Sequence, residues 1–278
     1  MDVATPPVET GPPESAAPRW PWWYALAGCA LGVLLVGLVV LPATAILSSL
    51  TDSSVKDPPP GIVVVGTLLQ DAALLATAIL LARRTMPPKP WHFGLRSTRL
   101  WPAVGWAALG MATFFVLSAV YAVVVQPDVQ QRVTEELGAD RGAVGLILAG
   151  VVVVAVAPVM EELFFRGFLY RALRSSLRPA FAAAIVGVVF GLIHWGPGGA
   201  EGGLVVPPLA VLGFIFCIVF ERTGSLYPVI AMHALNNALA YGAQADGWPV
   251  SVALGPLMIA ACVLLPRLAP SGPRPLPA

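Results

Sequence analysis

Eight runs of mostly apolar residues, separated by short polar connections, make up most of this chain. Most of the runs are about 20 residues long, which lets a helix cross a hydrocarbon core of roughly 30 Å. The first is entered through Trp20, Trp22, Trp23 and Tyr24, whose half-polar rings suit the lipid headgroup region. We therefore predict eight transmembrane helices, at about Trp22–Leu47, Gly61–Ala82, Trp101–Val125, Gly142–Leu173, Ala180–Trp195, Leu204–Phe220, Leu226–Tyr241 and Pro249–Leu265.

Composition supports this class of protein. Hydrophobic residues make up 57% of the chain and charged residues 11%, against roughly 25% charged in an ordinary soluble domain. We expect an all-α, polytopic transmembrane bundle over residues 21–266. Residues 1–20 and the Pro-rich residues 267–278 have no apolar core of their own and are predicted to be disordered cytoplasmic tails. A net charge of +1 gives no reason to expect a nucleic-acid partner.

The positive charges predict the orientation of the bundle. With eight crossings, thirteen of the Lys and Arg residues fall on the side that holds both termini, and only Lys56, Arg132 and Arg141 fall on the other. Because positively charged loops stay in the cytoplasm, we expect the N- and C-termini to be cytoplasmic.

The fourth run combines excess length with ionisable residues. It is too long for one perpendicular crossing, so its helix must tilt, kink or project beyond the bilayer. Its second half holds Glu161, Glu162 and Arg166, and a charge at bilayer depth costs at least about 2.5 to 3.5 kcal/mol, which marks a functional site by default. Glu162 and Arg166 are four residues apart and can pair on one face, whereas Glu161 projects about 100° away. An unpaired, shielded carboxylate suits a general base near neutral pH, although both glutamates could instead only lock helices together.

Polar side chains also fall in two later apolar runs. His194 lies four residues after Phe190, and His233 lies four residues before Asn237. Counted from the cytoplasmic helix ends at about 1.5 Å per residue, these polar groups and Glu161 lie at similar depths of roughly 12 to 22 Å. Three separate helices can therefore bring an acid, two imidazoles and a carboxamide to one level.

These residues form three motifs in order: Glu161-Glu162-Leu-Phe-Phe-Arg166 (EExxxR), Phe190-Gly-Leu-Ile-His194 (FxxxH) and His233-Ala-Leu-Asn-Asn237 (HxxxN). Together they resemble the CAAX protease and bacteriocin-processing family, also called CPBP or Abi, of membrane-embedded endopeptidases. The resemblance covers residues 142–241, with a family-like Phe93-Gly-Leu-Arg96 before the third run.

The resemblance implies a bundle of about eight helices around a cavity open to the cytosol and the bilayer. It implies that Glu161 and His194 activate water, that His233 and Asn237 stabilise the oxyanion, and that Glu162 and Arg166 hold the site in shape. Asn236 lies near the same helix face as Asn237 and could compete for its role, although the motif spacing favours Asn237.

A zinc site is the alternative chemistry, with Glu161, His194 and His233 as ligands and an open position for water. Against it, the chain lacks an HExxH helix, and its two histidines come from separate helices. We favour a metal-free glutamic mechanism without a cofactor. Asp71, in the second run, has no second aspartate in a matching helix to form a catalytic dyad, so an interhelical hydrogen bond is its expected role.

The sequence thus predicts an intramembrane endopeptidase that cuts a membrane-associated peptide or protein, with its cavity towards the cytoplasm. The Ala, Gly, Val and Pro bias suggests the plasma membrane of a bacterium. The alternative is a non-hydrolytic scaffold, immunity factor or proton-coupled carrier that uses the same buried Glu and His cluster. No internal repeat stands out, which weakens the carrier hypothesis.

Overall fold

The computed structural model describes residues 20–127, 133–195 and 202–268, and all regular structure in these ranges is helical. Short helical turns at Pro90–His92 and Val133–Glu136 lie in the connections between the main helices. The main helices are Trp23–Leu50 (α1), Pro60–Arg83 (α2), Leu100–Val125 (α3), Gly142–Arg174 (α4), Pro179–Ile193 (α5), Val206–Thr223 (α6), Tyr227–Gln244 (α7) and Trp248–Leu268 (α8). The all-α fold class is therefore confirmed.

Six helices in the described ranges are long and apolar enough to cross a membrane. Helix α5 is apolar but has only 15 residues, or about 22 Å of rise, and α7 has 18 residues that include several polar side chains. The outer surface of α1 and α3 is rich in exposed Leu, Val and Trp side chains, as expected of a lipid-facing surface. The chain is a polytopic membrane protein, whereas a count of eight crossings stays a prediction.

The ends of the bundle differ slightly from the predicted boundaries. Trp20, assigned to the N-terminal tail, is fully buried, and its ring centroid lies 5.1 Å from that of Phe93 and 5.4 Å from that of Phe168. Helix α8 continues to Leu268, two residues past the predicted end of the bundle. The rest of the two predicted tails, residues 1–19 and 269–278, lies outside the described residues.

Helix α4 is one long helix whose hydrogen-bond register changes along its length. It contains two π-helical stretches, Val151–Val156 and Leu163–Tyr170, on either side of the α-helical Ala157–Glu162. Such stretches are rare and often occur at functional sites. They lie on both sides of the two glutamates and so set the direction in which each carboxylate points.

Glycines bring α5 and α6 into backbone contact. A Cβ atom on Gly187 would lie 2.6 Å from the carbonyl oxygen of Ala210, and one on Gly191 would lie 2.6 Å from that of Val206. Small residues allow helices to approach this closely in membranes, where packing rather than hydrophobic burial drives association. This contact fixes the end of α5, and therefore His194, relative to α6.

The connection before α3 fastens the turn between α6 and α7. Leu226 donates its backbone N–H to the Gly94 carbonyl at 2.9 Å, and the Arg96 Nε donates to the Gly224 carbonyl at 2.6 Å. Gly94 has a φ of +99°, and a Cβ there would lie 2.6 Å from the Phe220 ring, so the position requires glycine. The family-like Phe93–Arg96 segment is therefore a structural clamp at the start of α7.

Candidate active site

A buried network on α4 and α7 joins two of the three motifs. The Oε1 atom of Glu162 accepts hydrogen bonds from Arg166 Nη1 at 2.7 Å and from His233 Nδ1 at 2.9 Å. Glu162 and Arg166 are fully buried, and His233 is 3% exposed. The predicted pairing of Glu162 with Arg166 is confirmed, and the contact with His233, 71 positions away along the chain, links the EExxxR helix to the HxxxN helix.

The Arg166 guanidinium reaches α6 as well. Its Nη2 donates to the Gly213 carbonyl at 3.0 Å, and its central carbon lies 4.7 Å from the Phe190 ring and 5.0 Å from the Phe216 ring. A guanidinium is suited to this site because it combines directed donors with a flat face that stacks on aromatic rings. One side chain thus ties α4 to α5 and α6 around the buried carboxylate.

Glu161 points away from this network, as its position one residue along the helix requires. It is half-buried, and its Oε2 atom is buried without a hydrogen-bond partner among the described residues. Glu162 is therefore paired with the Arg166 cation, whereas the carboxylate of Glu161 has no cationic partner among the described residues and is partly accessible.

His194 is not inside a helix as predicted but directly follows the last residue of α5, Ile193. Its Nδ1 lies 2.7 Å from the Phe190 carbonyl oxygen, one of the carbonyls that have no helical partner at a helix C-terminus. Because a carbonyl can only accept, Nδ1 carries the hydrogen, and Nε2 of a neutral ring keeps its lone pair. The ring is half-buried and packs against the Phe190 ring in a tilted arrangement, with the centroids 4.8 Å apart.

The Nδ1 atom of His233 also carries a hydrogen, for a similar reason. It donates to the carboxylate of Glu162, which leaves Nε2 as the ring atom available to a ligand. The His233 and His194 rings both contact Phe190, at centroid distances of 5.9 Å and 4.8 Å. Phe190, the first residue of the FxxxH motif, therefore separates and orients the two imidazoles.

The side chain of Asn237 is hydrogen-bonded to a backbone carbonyl of α4 that has no helical donor because of a proline. Its Nδ2 donates to the Val153 carbonyl at 2.9 Å. In this stretch Ala157 bonds to the carbonyl five residues back, that of Val152, so the next N–H in the same register would serve Val153. That next residue is Pro158, which has no N–H.

Asn236 is bonded to Asn237 rather than to the network. Its Nδ2 donates to Asn237 Oδ1 at 3.3 Å, and both side chains are half-buried. Asn237 is therefore oriented on both sides and still has one amide hydrogen free to donate to a ligand. The sequence alone gave no signal for the part played by Pro158, which needs the π-helical register of α4.

Burial divides the predicted residues into two sets. Glu162, Arg166 and His233 are buried and bonded to one another, whereas the accessible side chains are Glu161, His194 and Asn237. An apolar cavity of about 360 Å³ lies between α3, α7 and α8, lined in part by Met111, Met232 and Ile259, and it includes none of the site residues. That cavity is on the side of α7 away from His233 and Asn237.

The described side chains do not match a metal-binding arrangement. Among the described residues, no three His, Cys, Asp or Glu side chains are arranged to hold a metal ion together. One Glu162 oxygen is shared between Arg166 and His233, so this carboxylate is already occupied by protein donors. The predicted zinc ligands Glu161, His194 and His233 therefore do not form a preassembled three-ligand site in this structure.

Comparisons with known proteins agree with the motifs. Residues 143–239, about a third of the chain, match the family model described as type II CAAX prenyl endopeptidase Rce1-like. The uncharacterized protein YyaK of Bacillus subtilis (strain 168) is 33% identical over 132 residues, which are 46% of this chain and 43% of that protein. The chain thus spans less than half the length of this curated relative, and no solved structure gives a significant match. The resemblance drawn from the three motifs is confirmed for the segment that contains them.

Proposed function

We propose that the protein is an intramembrane endopeptidase of the CAAX type that hydrolyses a peptide bond with a water molecule activated by Glu161 and His194. The main support for the proposal is that Arg166 and His233 both donate hydrogen bonds to Glu162, because these bonds join two motifs of a protease-like segment into one site. The accessible carboxylate of Glu161 stands beside that site without a cation of its own.

The chemistry follows from the free atoms of each side chain. The Glu161 carboxylate and the His194 Nε2 lone pair are acceptors, so they can take a proton from water as it attacks the scissile carbonyl. The same proton then passes to the amine that leaves, so that hydrolysis consumes one water and the protein returns to its starting state. General bases of this kind typically contribute about 10² to 10⁴ in rate.

The oxyanion that forms needs hydrogen-bond donors, and α7 offers two. Asn237 has one amide hydrogen that Val153 does not use, and a protonated His233 donates from Nε2. The carboxylate of Glu162 accepts the Nδ1 hydrogen of His233 and balances the charge of a protonated ring, and Arg166 holds the same carboxylate in place. The loss of one such donor typically costs about 10² to 10³ in rate.

We propose a metal-free reaction because no three His, Cys, Asp or Glu side chains of the described residues are arranged to hold a metal ion together, and because Glu162 is held by Arg166. Peptide cleavage should then persist after treatment with a strong zinc chelator. Activity that is lost on chelation and restored by Zn²⁺ would replace this mechanism with the zinc alternative.

The placement in the cell is part of the proposal. The excess of Lys and Arg on one side would put both termini and the opening of the site in the cytoplasm, in the plasma membrane of a bacterium. The substrate would then be a membrane-associated peptide or protein that reaches the site from the lipid or the cytosol.

The test uses purified protein in detergent or lipid nanodiscs and a peptide library read by mass spectrometry. Wild type should cleave, whereas Glu161→Ala and His194→Ala should lose at least about 100-fold of the rate. Glu136→Gln, which changes an exposed glutamate outside the site, is the control. Equal cleavage by wild type and Glu161→Ala, or no cleavage by any sample, would favour a non-hydrolytic membrane protein.

A further inference from the structure

An apolar groove runs between α3 and α8, with α7 as its floor. Helices α3 and α8 each lie against α7, but among the described residues they make little contact with each other. The gap between them holds the cavity of about 360 Å³, a volume within the range of ligand pockets. Val104 and Ile259, on the two walls, are exposed, so the groove opens sideways towards the lipid.

Small and adaptable side chains line the body of the groove. Ala103 and Ala107 on α3 and Ala231 on α7 leave space that larger side chains would fill. Met111 and Met232 lie further along the same helices, and their thioether side chains can adapt to an irregular apolar ligand. The body of the groove is therefore suited to a hydrocarbon chain.

One end of the groove is polar and lies beside the turn between α6 and α7. Ser97 precedes α3, Tyr227 is the first residue of α7, and Arg267 lies in the last turn of α8. The hydroxyls of Thr98 and Ser225, also at this end, already donate to backbone carbonyls. In the described ranges the Arg267 guanidinium has no ion pair, and the hydroxyls of Ser97 and Tyr227 have no hydrogen-bond partner.

The length of the groove matches one leaflet of a bilayer. Helix α3 rises about 16 Å from Leu100 to Met111, and α8 covers about 12 Å between Ile259 and Arg267. Half of a hydrocarbon core is about 15 Å thick. Trp101, beside the polar end, is 80% exposed, as expected of a side chain at the lipid headgroups. The groove therefore extends from the headgroup region to about the middle of the bilayer.

We propose that this groove binds one anionic phospholipid of the adjoining leaflet, with an acyl chain between α3 and α8 and the phosphate on Arg267. A guanidinium donates directed, charge-assisted hydrogen bonds to phosphate, and the hydroxyls of Ser97 and Tyr227 are further donors. Arg99, which precedes α3, adds a second positive charge at this end. No acidic side chain of the described residues lines the groove, so its charge is complementary to an anionic headgroup.

The lipid site is separate from the candidate active site, so the proposal does not rest on the proposed function. Ala231 and Leu235 are four residues apart and face the groove, whereas His233 and Asn237 lie on other faces of α7. A lipid between α3 and α8 would fill the gap over α7. Because it would bind the folded protein only, it should raise the stability of the bundle by mass action.

The first measurement is lipid binding by native mass spectrometry, with the delipidated full-length protein in detergent. The probes are dioleoylphosphatidylglycerol, which is anionic, and dioleoylphosphatidylcholine, which is not. Wild type should bind one phosphatidylglycerol at least about tenfold more tightly than phosphatidylcholine, the difference expected of a hydrogen bond to a charged group. Arg267→Gln should remove this preference. Arg84→Gln, at an exposed position after α2, is the matched control and should bind as wild type does.

The second measurement tests the position of the acyl chain. Ala231→Phe places a ring in the groove and should weaken the binding of both lipids by at least about tenfold. Ala119→Phe, at an exposed position of α3 outside the groove, should not. The midpoint of thermal unfolding should rise with the concentration of phosphatidylglycerol in wild type and rise less in Arg267→Gln. Arg267→Gln changes an exposed side chain and so keeps the test decisive if Ala231→Phe does not fold.

Three results would overturn the proposal. An affinity for phosphatidylglycerol that Arg267→Gln leaves unchanged would show that the headgroup does not lie on this side chain. Equal binding of the two phospholipids, unaffected by Ala231→Phe, would indicate non-specific annular lipid. Binding of a palmitoylated peptide without phosphate, but of neither phospholipid, would assign the groove to the lipid anchor of a protein.

Discussion

Pro158 gives the sharpest prediction because stability and activity should change in opposite directions. In the π-helical register before it, the carbonyl of Val153 would accept the N–H of residue 158, and the proline leaves this carbonyl to Asn237 at 2.9 Å. The substitution Pro158→Ala supplies the missing N–H. It should close the backbone hydrogen bond and release the Asn237 side chain.

The magnitudes come from two terms of unequal size. A proline in a helix interior costs up to about 3 kcal/mol, part of which the π-helical stretch already relieves. The hydrogen bond from Asn237 contributes about 0.5 to 1.5 kcal/mol. We therefore expect the free energy of unfolding to rise by about 1 to 2 kcal/mol as the net of these terms. Cleavage should fall towards the rate of Asn237→Ala, about 10² below wild type if that amide serves the oxyanion.

The assay compares thermal unfolding in detergent with cleavage of the same peptide. Pro179→Ala is the matched control, because Pro179 is the first residue of α5, where a backbone N–H has no helical acceptor in any case. It should change neither property by much. A Pro158→Ala protein that cleaves like wild type, although Asn237→Ala does not, would show that the freed carbonyl does not position the amide.

Two further predictions concern packing. Arg166→Leu leaves Glu162 as a buried charge with only His233 as partner, so it should lower the free energy of unfolding, measured by thermal unfolding, by about 3 to 5 kcal/mol. Arg166→Leu combined with Glu162→Leu should lower it less, and equal losses in the single and double variants would mean that Arg166 does not compensate the charge of Glu162. Gly187→Val places a Cβ atom 2.6 Å from the Ala210 carbonyl oxygen and should lower the midpoint of thermal unfolding by several degrees. Val188→Ala, at the neighbouring exposed position, is the control and should leave the midpoint unchanged. An unchanged midpoint for Gly187→Val would refute the close approach of α5 and α6.

The helices were predictable because lipid imposes a simple rule on the sequence. A segment that crosses the bilayer must satisfy its own backbone, so long apolar runs become helices with few exceptions. The pairing of Glu162 with Arg166 was predictable too, since side chains four apart on a helix meet regardless of the rest of the fold. Local periodicity thus suffices for elements and for contacts within one element.

The other parts of the site depend on contacts that the local pattern does not encode. The hydrogen bond between His233 and Glu162 arises from how α4 and α7 pack, over a separation of 71 residues. The position of His194 after the end of α5 follows from the shortness of that helix. The role of Pro158 depends on a change of helical register, which the apolar pattern does not reveal.

The proposed hydrolysis depends on Glu161 acting as a base towards a peptide substrate. The most direct measurement compares new protein N-termini, by quantitative mass spectrometry, in membranes from cells that produce wild type, Glu161→Gln or the exposed-site control Glu136→Gln at equal levels. A defined set of termini from membrane-associated proteins should appear with wild type and with the control and be absent with Glu161→Gln. The same set of termini in all three samples would contradict the account.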